Sequence, residues 1–144
     1  MRSTCDDNVQ KLYVDGELQA AQETDSIWTE ETTTTIPESS RLLGVECEDT
    51  GSIYGILLSV HDASGEVILE TGDLSWNCSK ADYSGSTWAS VDAELGGSWS
   101  PAIQVNGPTS GKIGDISTSA KWIWAEKGGE LDTVYCRGRI YVGG

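Results

Sequence analysis

Hydrophobic and polar residues alternate along much of this chain with the two-residue period of a β-strand. In Val9 to Asp15, Leu12 and Val14 lie on one face and Tyr13 lies on the other. Tyr54 to His61 is largely apolar, which is typical of a central strand covered on both faces. These two patterns predict two β-strands, of which the second is central and covered on both faces.

Further short runs with strand character follow between turn signals: Thr32 to Ile36, Arg41 to Glu48, Val67 to Glu70, Ala102 to Val105, Ala120 to Ala125 and Thr133 to Val142. Asp15-Gly16 favours a tight turn, because glycine adopts positive φ without steric cost. No window of about 11 residues has convincing helical periodicity, and Glu17 to Asp25 comes nearest. The pattern predicts an all-β fold, a β-sandwich or jelly roll, with residues 1–144 as a single domain.

Charge narrows the classes of partner. The formal net charge is −14, which disfavours nucleic acids and anionic membranes because both are polyanions. No apolar run approaches the roughly 18–20 residues of a membrane span. Neutral ligands and cations remain compatible with this surface.

The four cysteines indicate the compartment. Cys5, Cys47, Cys78 and Cys136 have no Cys-x-x-Cys spacing, so a zinc or redox motif is disfavoured and two disulfides are expected, with four buried thiols as the alternative. Disulfides imply a secreted or cell-surface protein. The opening residues contain no apolar signal region, so either the protein is cytosolic or a leader has been removed, and the expected disulfides favour the second.

Strand order favours one of the three disulfide pairings. If the Val9 strand pairs antiparallel with the Arg41 strand, the start of the first lies beside the end of the second. Cys5 then meets Cys47, which leaves Cys78 for Cys136.

Several motifs resemble those of galactose-binding-like jelly-roll modules, which accompany many glycoside hydrolases as accessory or sugar-binding domains. The matching stretches are Leu12 to Gly16, Arg41 to Cys47, Tyr54 to Leu58, Gly72 to Cys78, Trp88, Trp99 to Ala102, Lys121 to Trp124 and Asp132 to Arg137. The chain departs from the pattern at Asp15, where Asn is usual, and at Ala93 to Gly97, where an Asp-Asp pair is missing. The resemblance implies a jelly roll that binds sugar without catalysis, in a cysteine-containing extracellular animal form.

Catalytic signals are weak. His61 is the single histidine, no Gly-x-Ser-x-Gly elbow is present, and bonded cysteines cannot act as nucleophiles. Paired carboxylates arise by chance among 23 acidic residues. The sequence therefore predicts that this protein is not an enzyme.

A calcium site is a more specific hypothesis than catalysis. Asp6, Asp7, Glu48 and Asp49 would converge at a Cys5–Cys47 bridge and could supply oxygen ligands to Ca²⁺, the one cofactor considered. The alternative is that these carboxylates face solvent in different directions.

Exposed aromatic side chains are the candidate sugar-binding residues, because sugar rings stack on aromatic faces while polar side chains fix the hydroxyls. Trp28, Trp88 and Tyr83 lie in polar, loop-like surroundings and are expected to be exposed, with Asp82 as a polar partner. The other tryptophans, Trp76, Trp99, Trp122 and Trp124, are expected in the core. Each exposed aromatic also has an ordinary surface role as the alternative.

Arg137 and Arg139 share a face of the last strand, where charge would protect a sheet edge from unwanted pairing. The leading hypothesis is a secreted, lectin-like carbohydrate-binding module whose partner is a glycan or glycoprotein. The alternative is an extracellular matrix, adhesive or mineral-associated protein whose acidic surface binds calcium or a mineral.

Overall fold

The computed structural model of this chain describes residues 1–6, 8–21, 32–33, 35–48, 54–73, 75–80, 87–90, 99–107, 111, 113–125 and 133–140. Within these residues the chain forms twelve β-strands, one 3₁₀ turn at Thr87–Ala89 and no α-helix. The strands are β1 (Arg2–Asp6), β2 (Asn8–Val14), β3 (Glu17–Ala21), β4 (Thr32–Thr33), β5 (Leu42–Glu48), β6 (Gly55–His61), β7 (Val67–Glu70), β8 (Asn77–Ser79), β9 (Ser100–Pro101), β10 (Ile103–Gln104), β11 (Ile123–Trp124) and β12 (Thr133–Arg139). The predicted all-β class is confirmed.

The strands form two antiparallel sheets. Sheet A has the order β10-β11-β6-β1-β4, with β7 paired to β6 as well. Sheet B has the order β3-β2-β5-β12-β8-β9. The described part of the chain contains no helix long and apolar enough to cross a membrane.

The main core lies between the two sheets and takes alternate residues from each strand. Leu12 of β2 pairs across the ladder with Val45 of β5, and both are fully buried. Ile56 and Leu58 of β6 enter the same core from sheet A, and Leu57 faces the other way into a separate cluster. The predicted face assignments of β2 and the double covering of β6 are confirmed.

The predicted turn at Asp15-Gly16 forms the β2–β3 hairpin, and both residues have positive φ. Asp15 tolerates this conformation while its carboxylate accepts hydrogen bonds from the backbone N–H groups of Arg41 and Leu42, at 3.1 and 2.9 Å. The acidic residue at this position therefore anchors the hairpin to the start of β5.

Two disulfides form with the pairing expected from strand order, Cys5–Cys47 and Cys78–Cys136. The first links β1 of sheet A to β5 of sheet B, so it fastens the two layers to each other. The second links directly opposed residues of neighbouring strands β8 and β12. Val9 does pair with Cys47, but Cys5 belongs to a separate strand that lies in the opposite sheet.

The interpretation of the last strand as a charge-protected edge is wrong. Strand β12 lies between β5 and β8, inside sheet B. Arg139 is exposed there, but Arg137 is only 3% exposed. The guanidinium of Arg137 therefore lies in the protein interior and does not protect an exposed sheet edge.

Candidate functional site

The outer face of sheet B carries a second, small core. Trp88, from the 3₁₀ turn, packs edge-to-face against Tyr13 and Tyr135, with ring centroids 5.3 and 5.2 Å apart, and stacks at 6.0 Å on Trp99. Trp88 is 5% exposed, so the expectation that it is exposed is wrong. Because neighbouring rings cover it, Trp88 offers no face on which a sugar could stack.

Gly44 and Arg137 hold the Trp88 turn on the sheet. A Cβ atom on Gly44 would lie 2.6 Å from the Cβ of Ala89 and 3.0 Å from the Trp88 ring. The guanidinium of Arg137 donates a hydrogen bond to the Trp88 carbonyl at 2.7 Å. Burial lowers the pKa of Arg137, and the neighbouring Arg139 lowers it further.

The pKa of Tyr13 reflects the same burial. Desolvation raises the pKa of its phenol, Lys11 opposes the rise and Glu46 adds to it. The environment of Tyr13 is therefore that of a packed residue, which supports a structural role for this face.

The outer face of sheet A is built differently. Arg2, Ser59 and Glu70 lie opposite one another on β1, β6 and β7 and form a polar row across the strands. Residues 113–121, the strap, cross this row. The contacts are Asp115 to Arg2 at 3.6 Å, the Ser117 N–H donating to Ser59 Oγ at 2.9 Å, and the Ser119 hydroxyl donating to the Glu70 carboxylate at 2.8 Å. Asp115, Ser117 and Ser119 are thus each anchored to a different strand.

Ser59 and His61 form a serine–histidine contact beneath the strap, with Oγ and Nε2 2.8 Å apart. His61 Nδ1 lies 3.4 Å from the carbonyl oxygen of Gly65, which can only accept a hydrogen bond. This partner favours the tautomer in which Nδ1–H donates to Gly65 and Nε2 accepts from the Ser59 hydroxyl. Ser59 is fully buried and also accepts the Ser117 N–H. A nucleophile must reach its substrate, so this pair has a structural role.

A cavity of about 280 Å³ opens between the strap and sheet A. Its described lining residues combine an apolar floor with polar groups: Leu57, Gln104, Val105, Asn106, Gly111, Ile113, Ile116, Ser117, Thr118, Ala120, Lys121 and Trp122. This volume is near the lower end of the range for ligand pockets, roughly 300–1,000 Å³. The mixture suits a small ligand with both C–H and hydroxyl surfaces.

Trp122 gives the floor its rigidity. It is 6% exposed, and a Cβ atom on Gly55 would lie 2.8 Å from the Trp122 ring. A Cβ atom on Gly107 would come still closer to the indole, so both glycines are required for the ring to fit. The Trp122 carbonyl accepts a hydrogen bond from Val105 at 2.9 Å, which closes one side of the cavity.

The other predicted sugar-binding residues, Trp28, Tyr83 and Asp82, lie outside the described residues and stay predictions. Of the tryptophans expected in the core, Trp76, Trp122 and Trp124 are buried and Trp99 is half-buried. The expectation is therefore confirmed for Trp76, Trp122 and Trp124 and holds only in part for Trp99.

The predicted calcium ligands are only partly described. Asp6 ends β1 and Glu48 ends β5, directly after the two bonded cysteines. Asp7 and Asp49 lie outside the described residues. Among the residues that the structure does describe, no three His, Cys, Asp or Glu side chains are grouped to hold a metal ion. The calcium hypothesis stays a prediction.

No protein-family model, no curated protein and no solved structure matches this chain. The candidate site is therefore defined by its own geometry.

The cavity was absent from the sequence-based predictions. Its floor depends on Leu57, the outward member of an apolar strand, and on Ile113 and Ile116, two isolated apolar residues in a polar stretch. Isolated apolar residues of this kind are the available signal, and they do not reveal which sheet face they cover.

Proposed function

We propose that this chain is a secreted, non-catalytic carbohydrate-binding domain whose binding site is the cavity between the strap and sheet A. The observation that carries the proposal is the cavity lining, in which an apolar floor lies beside amide and hydroxyl side chains. Sugar rings present C–H patches and hydroxyl groups side by side, so a site for them needs both kinds of surface.

The chemistry of the lining fits this role. Leu57 and Ile116 supply apolar surface, and the Trp122 ring is fixed in place beside them. Gln104 and Asn106 are amides that both donate and accept hydrogen bonds, as sugar hydroxyls also do. Because the strap is tied to three strands, little ordering is required on binding, which favours affinity.

The finer fold assignment belongs to the same proposal. The two-sheet architecture, the pairing of β2 with β5 and the motif resemblance together support a jelly roll of the galactose-binding-like type. Secretion is supported by the two disulfides, since such bonds persist in oxidising compartments.

The alternative proposal is an acidic matrix, adhesive or mineral-associated protein, and the net charge of −14 is the observation that favours it. Such a protein would associate through its whole surface. Its association would increase with calcium and decrease with added salt, because exposed charges are screened.

A glycan array probed with and without calcium separates the two proposals. For the carbohydrate-binding domain we expect selective signals that a free sugar competes away. Thr118→Trp, which places a large side chain on an exposed lining residue, should abolish those signals. Glu17→Trp, on the exposed edge strand of sheet B, is the matched control and should retain them. Binding that survives Thr118→Trp would move the site elsewhere.

The predicted calcium site needs a separate measurement. If Asp6, Asp7, Glu48 and Asp49 hold Ca²⁺, calorimetry at physiological ionic strength should record heat on adding calcium, and the melting temperature should rise. Asp6→Asn combined with Glu48→Gln should remove both effects. No heat and an unchanged melting temperature in the wild type would reject the calcium site.

A further inference from the structure

The charge of the cavity lining differs from that of the chain as a whole. The chain has 23 acidic and nine basic residues, yet the described lining residues include one basic residue, Lys121, and no acidic residue. A neutral sugar requires no such arrangement. In a strongly acidic protein, a site that excludes carboxylates and admits a cation is complementary to an anion.

Two carboxylates near the strap are engaged elsewhere. Asp115 lies 3.6 Å from the guanidinium of Arg2. Glu70 accepts hydrogen bonds from the Ser119 hydroxyl at 2.8 and 2.9 Å. Neither carboxylate belongs to the described lining, so Lys121, which is exposed, is the one charged residue among the lining residues that the structure describes.

The base of the Lys121 side chain is held in position. Its backbone N–H donates to the Thr71 carbonyl at 2.8 Å, which ties the end of the strap to the turn after β7. Its stem lies against Gly72, where a Cβ atom would come within 2.8 Å of the Lys121 Cγ. Gly72 has a φ of +102°, so glycine serves both the turn and the passage of the lysine stem.

The rest of the lining distinguishes an acidic sugar from a bare anion. Inorganic sulfate or phosphate would leave the floor of Leu57, Ile116 and Trp122 without a partner. A sugar ring covers that floor with C–H groups and presents hydroxyls to Gln104 and Asn106. The ammonium of Lys121 could donate hydrogen bonds to the hydroxyls of any sugar, but only a ring that also bears a negative group would form a charge pair with it.

We propose that the cavity binds an acidic sugar, with the ring on the apolar floor and its single anionic substituent paired with Lys121. The substituent is a carboxylate, as in a uronic acid, or a sulfate ester. This inference rests on the proposed function and adds the ligand class. A hydrogen-bonded charge pair of this kind is worth about tenfold in affinity.

The experiment compares sugars that differ in one group. Binding of glucose, glucuronate and glucose 6-sulfate, and of the corresponding galactose and mannose series, is measured by calorimetry or NMR titration. We expect one acidic member to bind at least about tenfold more tightly than its neutral counterpart. The tighter of the two acidic forms identifies the substituent.

Substitutions of Lys121 test its role in recognising the acidic group. Lys121→Met should remove the preference for the acidic form while affinity for the neutral sugar stays within about twofold, and Lys121→Arg should restore the preference. Lys11→Met, the same substitution on sheet B, is the control and should change neither. A melting curve for each variant shows whether it is folded.

The outcomes separate the two proposals. Equal binding of neutral and acidic sugars overturns the acidic-sugar inference and leaves carbohydrate binding intact. If Lys11→Met reduces the preference for the acidic sugar as much as Lys121→Met does, the inference is also overturned, because the effect would then come from overall charge. Competition by inorganic sulfate as strong as that of the acidic sugar reduces the cavity to an anion site and overturns it as well. If no sugar binds and the glycan array is blank, the proposed function itself fails.

Discussion

At the residue scale, Arg137 has a well-defined task on the outer face of sheet B. Its guanidinium is buried and donates to the Trp88 carbonyl. Removing one partner of a buried, charged hydrogen bond leaves the other unsatisfied, and truncation also removes the packing of the side-chain stem. We expect Arg137→Ala to lower the free energy of unfolding by about 2–3 kcal/mol, measured by urea denaturation.

The control for this prediction lies two residues along the same strand. Arg139 is exposed, so Arg139→Ala should change the free energy of unfolding by less than about 0.5 kcal/mol. Equal effects of the two substitutions would contradict the role of Arg137. Tryptophan fluorescence provides a second signal, because loosening of the Trp88 turn should shift its emission to the red.

Asp62 gives a prediction about pH. Its carboxylate accepts hydrogen bonds from the Ser64 hydroxyl and from backbone N–H groups at Ser64 and Glu66. The Ser64 hydroxyl is the largest cause of a lowered pKa, followed by the Glu66 N–H. The folded pKa lies below the unfolded one, so Asp62 stabilises the fold above its unfolded pKa of about 4. That contribution is lost as the pH falls through the folded pKa.

Carboxyl-carbon NMR measures this titration directly. We expect Ser64→Ala to move the Asp62 midpoint upward towards its ordinary value, since the leading donor is removed. Ser39→Ala, in the turn before β5, should leave the midpoint where it was. An unchanged midpoint in Ser64→Ala would show that the backbone donors alone set the pKa.

Sequence patterns predicted correctly which face of the sheet a side chain occupies where a local rule decides it. The alternation of Leu12, Tyr13 and Val14 gave the correct faces of β2, because side chains in a strand alternate by geometry. Trp88 was placed wrongly because its burial depends on a turn that folds over Gly44, a contact 44 residues away along the chain. Polar neighbours in the sequence give no sign of such a cover.

At the element scale, the strap is held by single hydrogen bonds that can be tested one at a time. Ser59→Ala removes the acceptor of the Ser117 N–H and the hydroxyl that meets His61. We expect a loss of about 1–2 kcal/mol in the free energy of unfolding and faster hydrogen exchange at the Ser117 amide.

Ser119→Ala is the matched comparison, because it removes the exposed hydroxyl that contacts Glu70. It should cost less than about 0.5 kcal/mol and leave exchange at Ser117 unchanged. If both variants speed that exchange equally, the strap is not anchored through the Ser117–Ser59 bond.

The elements that sequence analysis missed share a physical explanation. Residues 17–21 are good helix formers, and the stretch from Glu17 came nearest to a helix, yet it forms β3 because the Asp15-Gly16 turn directs the chain back along β2. Strand β1 is polar in sequence and exists because β6 and β4 pair with it. Long apolar strands such as β6 carry their own sequence signal, whereas the polar strand β1 forms because the strands on both sides pair with it.

At the scale of the whole molecule, the two disulfides close long loops, with sequence separations of 42 and 58 residues. In the chain-entropy model each bond contributes about 4 kcal/mol. We expect Cys5→Ala/Cys47→Ala and Cys78→Ala/Cys136→Ala each to lose about that much in urea denaturation, with a correspondingly lower melting temperature. Losses under about 1 kcal/mol for either pair would contradict a structural role for that bond.

The two-layer architecture could be predicted from the sequence, because period-two patterning, turn residues and cysteine spacing all point to it. The cavity could not, since it depends on how residues 113–121 cross β1, β6 and β7. Sequence analysis therefore placed the candidate site on loop aromatics, and the cavity beside the strap is a further candidate that the structure adds. The cavity is formed by contacts between segments that are distant in sequence, and the hydrophobic pattern along the chain does not reveal those contacts.

The most direct test of the proposed carbohydrate-binding site is a backbone-amide NMR titration with the strongest sugar ligand from the array. The account predicts that signals of residues 104–107 and 113–122 and the Trp122 indole shift together, and that Tyr13, Trp88 and Tyr135 on sheet B do not. Shifts confined to sheet B, or to the segments around Trp28 and Tyr83, would contradict it.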